Sequence, residues 1–167
     1  TLAESSTTSA IVAGIQAAKS GNLAAVEQWL QAGNNPNQYD ASGWTPLLWA
    51  SARGHSAVVE RLLERGADIA MPQRESGSLA VHMAGHCGDV PTAEVLLRHR
   101  PELLDAVWDL NGHTVLLQTV FYGHLDLARV LLERKASTAI TTARGLGPLE
   151  LATQFQNRAM IDLITPY

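Results

Sequence analysis

Two histidines one helical turn apart, with a cysteine beside the second, are the arrangement in this 167-residue chain best suited to chemistry. His82 and His86 stand at i and i+4, which on a helix brings two imidazoles to one face, a spacing that can hold a metal ion. The run reads His-Met-Ala-Gly-His, however. It lacks the internal Glu of the His-Glu-x-x-His zinc motif, and Cys87 points elsewhere around the helix. No metal and no cofactor are therefore expected. Cys87 as a nucleophile would need a base and an oxyanion-stabilising turn. No strand–turn–helix elbow surrounds it, and a free cysteine in a helical protein is usually a packing residue or a passive thiol. Gly77-Ser78 and Gly145-Leu146-Gly147 are turns rather than phosphate-cradling loops. No pair of carboxylates falls in one expected cleft. No residue is assigned a catalytic role, and the chain is expected not to be an enzyme.

The segments that carry these residues recur. Gly-Trp-Thr-Pro-Leu-Leu-Trp-Ala runs from Gly43 to Ala50, Gly-Ser-Leu-Ala-Val-His-Met-Ala from Gly77, Gly-His-Thr-Val-Leu-Leu-Gln-Thr from Gly112 and Gly-Leu-Gly-Pro-Leu-Glu-Leu-Ala from Gly145. The leading glycines are 34, 35 and 33 residues apart. A second set of words follows each: Gly54-His55, Gly88-Asp89 and Gly123-His124 lead into Val/Leu runs such as Val58-Val59 and Leu62-Leu63. A fixed period in this range implies stacked two-helix units rather than one globular core. Thr45 can cap a helix that starts at Pro46, where a missing N–H costs nothing. Small Ala50, Ala84 and Ala152 allow close helix contact, and Gly54, Gly88 and Gly123 can adopt the left-handed conformation that ends it. Val59, Leu62 and Leu63 form the apolar stripe of a second helix, with Glu60, Arg61, Glu64 and Arg65 on its wet side. Asp40-Ala41-Ser42-Gly43 and Asp109-Leu110-Asn111-Gly112 are turn chemistry at the tips joining units.

Five units result: about 10–39, 40–73, 74–108, 109–141 and 142–167, with 1–9 as a flexible polar extension. The first unit lacks the Thr-Pro word. The last has Gln156 where a glycine is expected, and its Gln154, Asn157 and Arg158 suit a cap facing water. Unit three has Arg74 where the neighbouring tips have Asp40 and Asp109, Leu79-Ala80 in place of Thr-Pro, and a longer far end at 98–104. It is expected to be the least stable interior unit.

These words resemble the ankyrin repeat over roughly residues 10–164. The resemblance implies an all-α solenoid of about five helix–turn–helix units with hairpin tips and atypical terminal caps. It also implies a concave strip built from tips and exposed first-helix positions. Mapped onto this chain, the strip comprises Ser42, Trp44, Trp49 and Arg53 in unit two; Glu75, Ser78 and His86 in unit three; Trp108, Asn111, His113, Phe121 and Tyr122 around unit four; and Arg144 and Phe155 in unit five. Leu146 and Leu151 fall on it as well. Aromatics make up only 5% of the chain, yet six of them map to this strip. Aromatics and arginine are typical interface anchors; the alternative is that several simply cover the seam between turns. Trp29, on a second-helix stripe, reads as core. His55, His82 and His124 read as ties between loops or neighbouring units. His99 suits the negative end of a helix dipole.

The composition, 46% hydrophobic and 17% charged, is that of a folded chain, and the net charge is −4. No basic stripe marks a nucleic-acid backbone site, and no apolar run approaches the roughly 18 residues of a membrane span. Acids and bases alternate along the second helices, as solvated faces carrying i,i+4 pairs would. One cysteine excludes an internal disulfide. The expected partner is another protein, with the chain monomeric alone, acting as adaptor, inhibitor or immunity-type factor. An alternative is a small-molecule or catalytic site on the same strip, with Arg53, His86, His113 and Tyr122 around an aromatic slot. The chain also reads as a possible domain of a longer protein. The expected compartment is the cytoplasm, or the periplasm or exterior if a leader has been removed.

Overall fold

Thr45 accepts a 3.2 Å hydrogen bond from the Leu48 N–H, and Pro46 follows at the first helical position, so the first helix of unit two starts where its sequence says. A computed structural model of the protein describes residues 2–108 and 111–167, with side chains from Ser9 onward. The Asp109-Leu110 half of the expected fourth tip lies outside the described residues. Ten α-helices are present among those described: α1 (Leu2–Ser20), α2 (Leu23–Gln31), α3 (Pro46–Ala52), α4 (Ser56–Glu64), α5 (Ala80–Cys87), α6 (Val90–His99), α7 (Val115–Tyr122), α8 (Leu125–Glu133), α9 (Pro148–Gln154) and α10 (Arg158–Ile164). A 3-10 turn at Pro101–Asp105 follows α6. The backbone of α1 is helical back to Leu2, through the segment expected to be an extension. No proline interrupts that stretch, and its one glycine, Gly14, lies under Trp29.

The odd-numbered helices form one layer, α1, α3, α5, α7 and α9 packing in succession. The even-numbered helices form the other in the same order. One apolar seam runs between the layers, from Val26 and Trp29 through Leu48, Leu62, Leu96, Leu116 and Leu131 to Met160. Ala50, Ala84 and Ala152 are fully buried, as close helix contact requires. Trp29 is core, its indole N–H donating to the Ala10 carbonyl at 2.7 Å.

The residue that opens each second helix has one of two jobs. Asn22, Asp89 and Asn157 accept from their own helix N-termini. His55 and His124 reach back one unit instead, binding the Lys19 carbonyl at 3.0 Å and the His86 carbonyl at 2.9 Å. The inter-helix glycine of the preceding unit makes room: a Cβ on Gly88, at φ +76°, would lie 2.5 Å from the His124 ring. Asn37 and Asp105 make comparable ties at the opposite ends of the units, to residues 66, 68 and 137.

The extra residues of the repeat lie only partly where the sequence puts them, at the far end of unit three. The residues opening the second helices (Asn22, His55, Asp89, His124, Asn157) are 33, 34, 35 and 33 apart. Asp40 anchors its tip by accepting from the Ser42 and Trp44 N–H groups. In unit three the same work is done by Gln73, whose carboxamide oxygen accepts from Glu75 and Ser76. Arg74 is therefore not the counterpart of Asp40. The backbone bond that closes each tip spans four residues in units two and five (Asp40–Trp44 and Thr142–Leu146) but five in units three and four (Gln73–Ser78 and Trp108–His113), and the Pro101–Asp105 turn holds the remaining extra residue. Arg74 instead lays its guanidinium over the Tyr39 ring, 4.2 Å from its centroid, and donates its N–H to Gly43.

Unit three also replaces its missing cap. Leu79 has no side-chain acceptor, but His82 Nδ1 accepts from the Leu79 N–H at 3.2 Å. The ring proton then sits on Nε2 and is donated to the Ala106 carbonyl at 3.1 Å. On the outer layer, most charge pairs link neighbouring units rather than i,i+4 positions: Arg61 with Glu27, Arg134 with Glu94, and Glu60 with both Arg98 and His99. Arg158–Asp162 is an i,i+4 pair. Exposed pairs of this kind contribute little each.

Candidate functional site

The strip divides into two aromatic groups. In unit two, Trp44 and Trp49 stack with centroids 4.3 Å apart. The Trp49 indole N–H donates to Asp40 Oδ2 at 2.8 Å, and the Lys19 ammonium stands over its ring, 3.7 Å from the centroid. Both tryptophans are half-buried. Lys19 and Asp40 escape a sequence reading of the strip: Asp40 looks like turn chemistry only, and Lys19 lies 30 residues upstream on another unit. With its ring, its N–H and one face already engaged, Trp49 serves the seam between units at least as much as the surface.

The second group is open. Phe121, Tyr122 and Phe155 are 48%, 45% and 49% exposed. Phe121 contacts Tyr122 and Phe155 edge-on at 5.1 and 5.2 Å, and Tyr122 meets His86 edge-on at 4.4 Å. A continuous aromatic ladder thus crosses units three, four and five. It exists because Phe121, Tyr122 and Phe155 sit at the C-terminal ends of α7 and α9, whose inner turns are buried by Leu116, Leu117 and Leu151. Beside it, between the tips and first helices of units four and five, lies a cavity of about 280 Å³. Asn111, His113, Phe121, Arg144, Leu146, Leu151, Gln154 and Phe155 are among its lining residues. Thr142 and Ala143 complete it, and the tip is held to its neighbour by Ala143 N–H donating to the Asn111 carbonyl at 2.8 Å. Leu146 and Leu151 map to the strip in the sequence; Thr142, Ala143 and Gln154 carry no sequence signal for it, and their role follows from the packing of adjacent tips.

Other expected strip residues are placed differently. Ser78 is 1% exposed, and its hydroxyl shares a 2.8 Å hydrogen bond with that of Ser76. Ser78 therefore leaves the strip. Trp108 is half-buried, donates its indole N–H to the Ser76 carbonyl and pairs its backbone with His113. It joins two tips. Ser42, Arg53 and Glu75 are exposed.

The slot imagined around Arg53, His86, His113 and Tyr122 does not assemble. His113 lines the cavity and faces Trp108, whereas His86 and Tyr122 are not among the lining residues. His82 is buried, both of its ring nitrogens are bonded, and it shares no metal-holding geometry with exposed His86. Among the described residues no group of three or more His, Cys, Asp or Glu side chains could hold a metal ion. Burial first, and then the Asp89 carboxylate, push the Cys87 thiol above its ordinary value, opposed by a backbone hydrogen bond. This is the reverse of what activates a thiolate.

Comparisons with known proteins agree with this architecture. The family described as "Ankyrin repeats (3 copies)" matches residues 15–106, more than half of the chain. The chain is 47% identical over 57 residues to Scaffold protein ILK of Homo sapiens, covering 34% of this chain and 13% of that protein. It is 30% identical over 128 residues to a putative ankyrin repeat protein of Fowlpox virus (strain NVSL), covering 74% of this chain and 37% of the viral one. It is 32% identical over 149 residues to E3 ubiquitin-protein ligase KEG of Arabidopsis thaliana, covering 87% of this chain and 9% of the ligase. The chain therefore spans well under half the length of each of these relatives.

Proposed function

This chain belongs to the ankyrin-repeat family, whose repeats generally serve as protein-interaction modules, and on that footing we propose that it binds a partner protein through its concave face. The observation that carries the proposal is the ladder of His86, Tyr122, Phe121 and Phe155, which leaves three large aromatic rings about half exposed on one continuous surface. Burying such rings is a main source of binding energy at protein interfaces. Their supporting helices are fixed in the seam, so the surface is preorganised and little ordering entropy opposes docking. The module would act as an adaptor, inhibitor or immunity-type factor, without chemistry of its own. Among the described residues no helix is long and apolar enough to cross a membrane.

A small-molecule site in the cavity beside Phe155 is the second reading. It is less well supported, because about 280 Å³ lies just below the roughly 300–1,000 Å³ usual for such pockets. Affinity capture from lysate separates the two readings. Wild-type protein is expected to recover a partner that the Phe121→Ala/Tyr122→Ala/Phe155→Ala variant loses, while the variant still unfolds cooperatively. Recovery of the same proteins by both preparations would remove the ladder from the interface.

A further inference from the structure

We propose that the cavity between units four and five is an anchor site for an acidic peptide segment of a partner protein: it takes one apolar side chain, with a neighbouring carboxylate paired to Arg144. The inference rests on the interaction reading above and names the chemistry of its partner. Three observations support it.

The first is charge. The whole chain carries −4, yet no Asp or Glu lines this cavity among the described residues. Among its described lining residues Arg144 alone carries a permanent charge; Arg144, Leu146 and Gln154 also line the adjoining depression, to which Glu150 belongs. Arg144 is exposed and forms no ion pair with a described residue. A planar, unpaired guanidinium at the rim of an apolar slot suits a carboxylate. The second is the character of the walls. Phe121, Phe155, Leu146 and Leu151 form them, and Gln154 supplies a hydrogen-bonding group. The third is size. A cavity of about 280 Å³ holds an anchor side chain and little more, as at interfaces where one residue fills a pocket and polar groups ring it.

Titration of the isotope-labelled protein with three capped pentapeptides tests this, reading backbone amide shifts. The probes carry a central Phe flanked by Asp, a central Phe flanked by Lys, and a central Ala flanked by Asp. The acidic Phe peptide is expected to shift the amides of residues 143–146 and of Phe121 and Phe155. Arg144→Glu should weaken it about tenfold, and Arg144→Lys much less, because the charge is retained. The Ala-centred peptide should bind about tenfold more weakly than the acidic Phe peptide. Equal binding of the Lys-flanked peptide, shifts confined to the Trp44–Trp49 region, or no shift at millimolar peptide would each overturn the assignment. So would free phenylacetate binding as tightly as the peptide, since the ligand would then be a small acid. A captured partner that needs Phe121 and Phe155 but ignores Arg144→Glu would leave the interaction reading standing and remove this one.

Discussion

Replacing Gly88 with alanine should destabilise the protein far more than a single methyl group suggests. Gly88 has φ +76°, and a left-handed conformation costs an L-residue about 1–2 kcal/mol. The added Cβ would also lie 2.5 Å from His124 Cγ and Nδ1, too close for any real contact. The ring must move, and its hydrogen bond to the His86 carbonyl, worth about 0.5–1.5 kcal/mol net, is lost with it. Displacing a packed ring adds about 1 kcal/mol or more. The total is about 3–4 kcal/mol. Gly66→Ala is the control: its φ is +88°, but no atom lies within 4 Å of the new Cβ, so it incurs only the conformational part. In a His124→Ala background the clash and the bond are both absent, and Gly88→Ala should cost only about 1–2 kcal/mol. Urea unfolding followed by tryptophan fluorescence reads all four variants. Gly88→Ala is expected to lower the midpoint by more than about 1 M, given slopes of about 1–3 kcal/mol per molar urea. If Gly88→Ala is no worse than Gly66→Ala, or equally harmful without His124, the inter-unit histidine is not what the glycine accommodates.

Three further outcomes follow from the same geometry. Lys135 holds φ +66° at the position that Gly33 and Gly66 occupy in earlier units, so Lys135→Gly should stabilise the protein by about 1 kcal/mol in the same urea assay. Removing His82 leaves the Leu79 N–H and the Ala106 carbonyl without their partner; His82→Ala should cost about 2–4 kcal/mol, and hydrogen exchange should show the loss of protection concentrated in α5 and α6. The Cys87 thiol is raised above its ordinary value of 9.0, so its alkylation rate by iodoacetamide should keep rising with pH beyond that point and trail a free thiol at neutral pH. The sign for stability is matched: the folded state favours the neutral thiol, so this contribution is present below the unfolded value and lost as pH rises through the folded one.

Period, composition and local words determine a great deal here. Thr45-Pro46 starts a helix for reasons internal to that dipeptide, and Gly88 ends one because no other residue adopts its backbone angles cheaply. The apolar spacing of Val59 and Leu62 fixes which helix face is buried. Two helices per unit, about five units and a continuous seam follow from local chemistry repeated at one interval, because each unit contacts only its neighbours. The roles of His55 and His124 as ties were legible for the same reason, since they occupy corresponding positions in two units.

What the sequence left open depends on relations between units. Gln73 and Arg74 are adjacent, and only the hydrogen bonds of the folded tip show that Gln73 takes the place of Asp40. Ser78 follows Gly77 as Trp44 follows Gly43 and His113 follows Gly112, yet only Ser78 is buried, with its hydroxyl bonded to that of Ser76. Lys19 meets Trp49 across a unit boundary that no local pattern encodes. The division of the strip into a braced tryptophan pair and an open phenylalanine–tyrosine ladder, and the cavity that closes beside Arg144, arise from how successive tips are offset in the stack. Such an offset is a sum of small packing preferences over many residues; it belongs to the assembled solenoid rather than to any single word of its sequence.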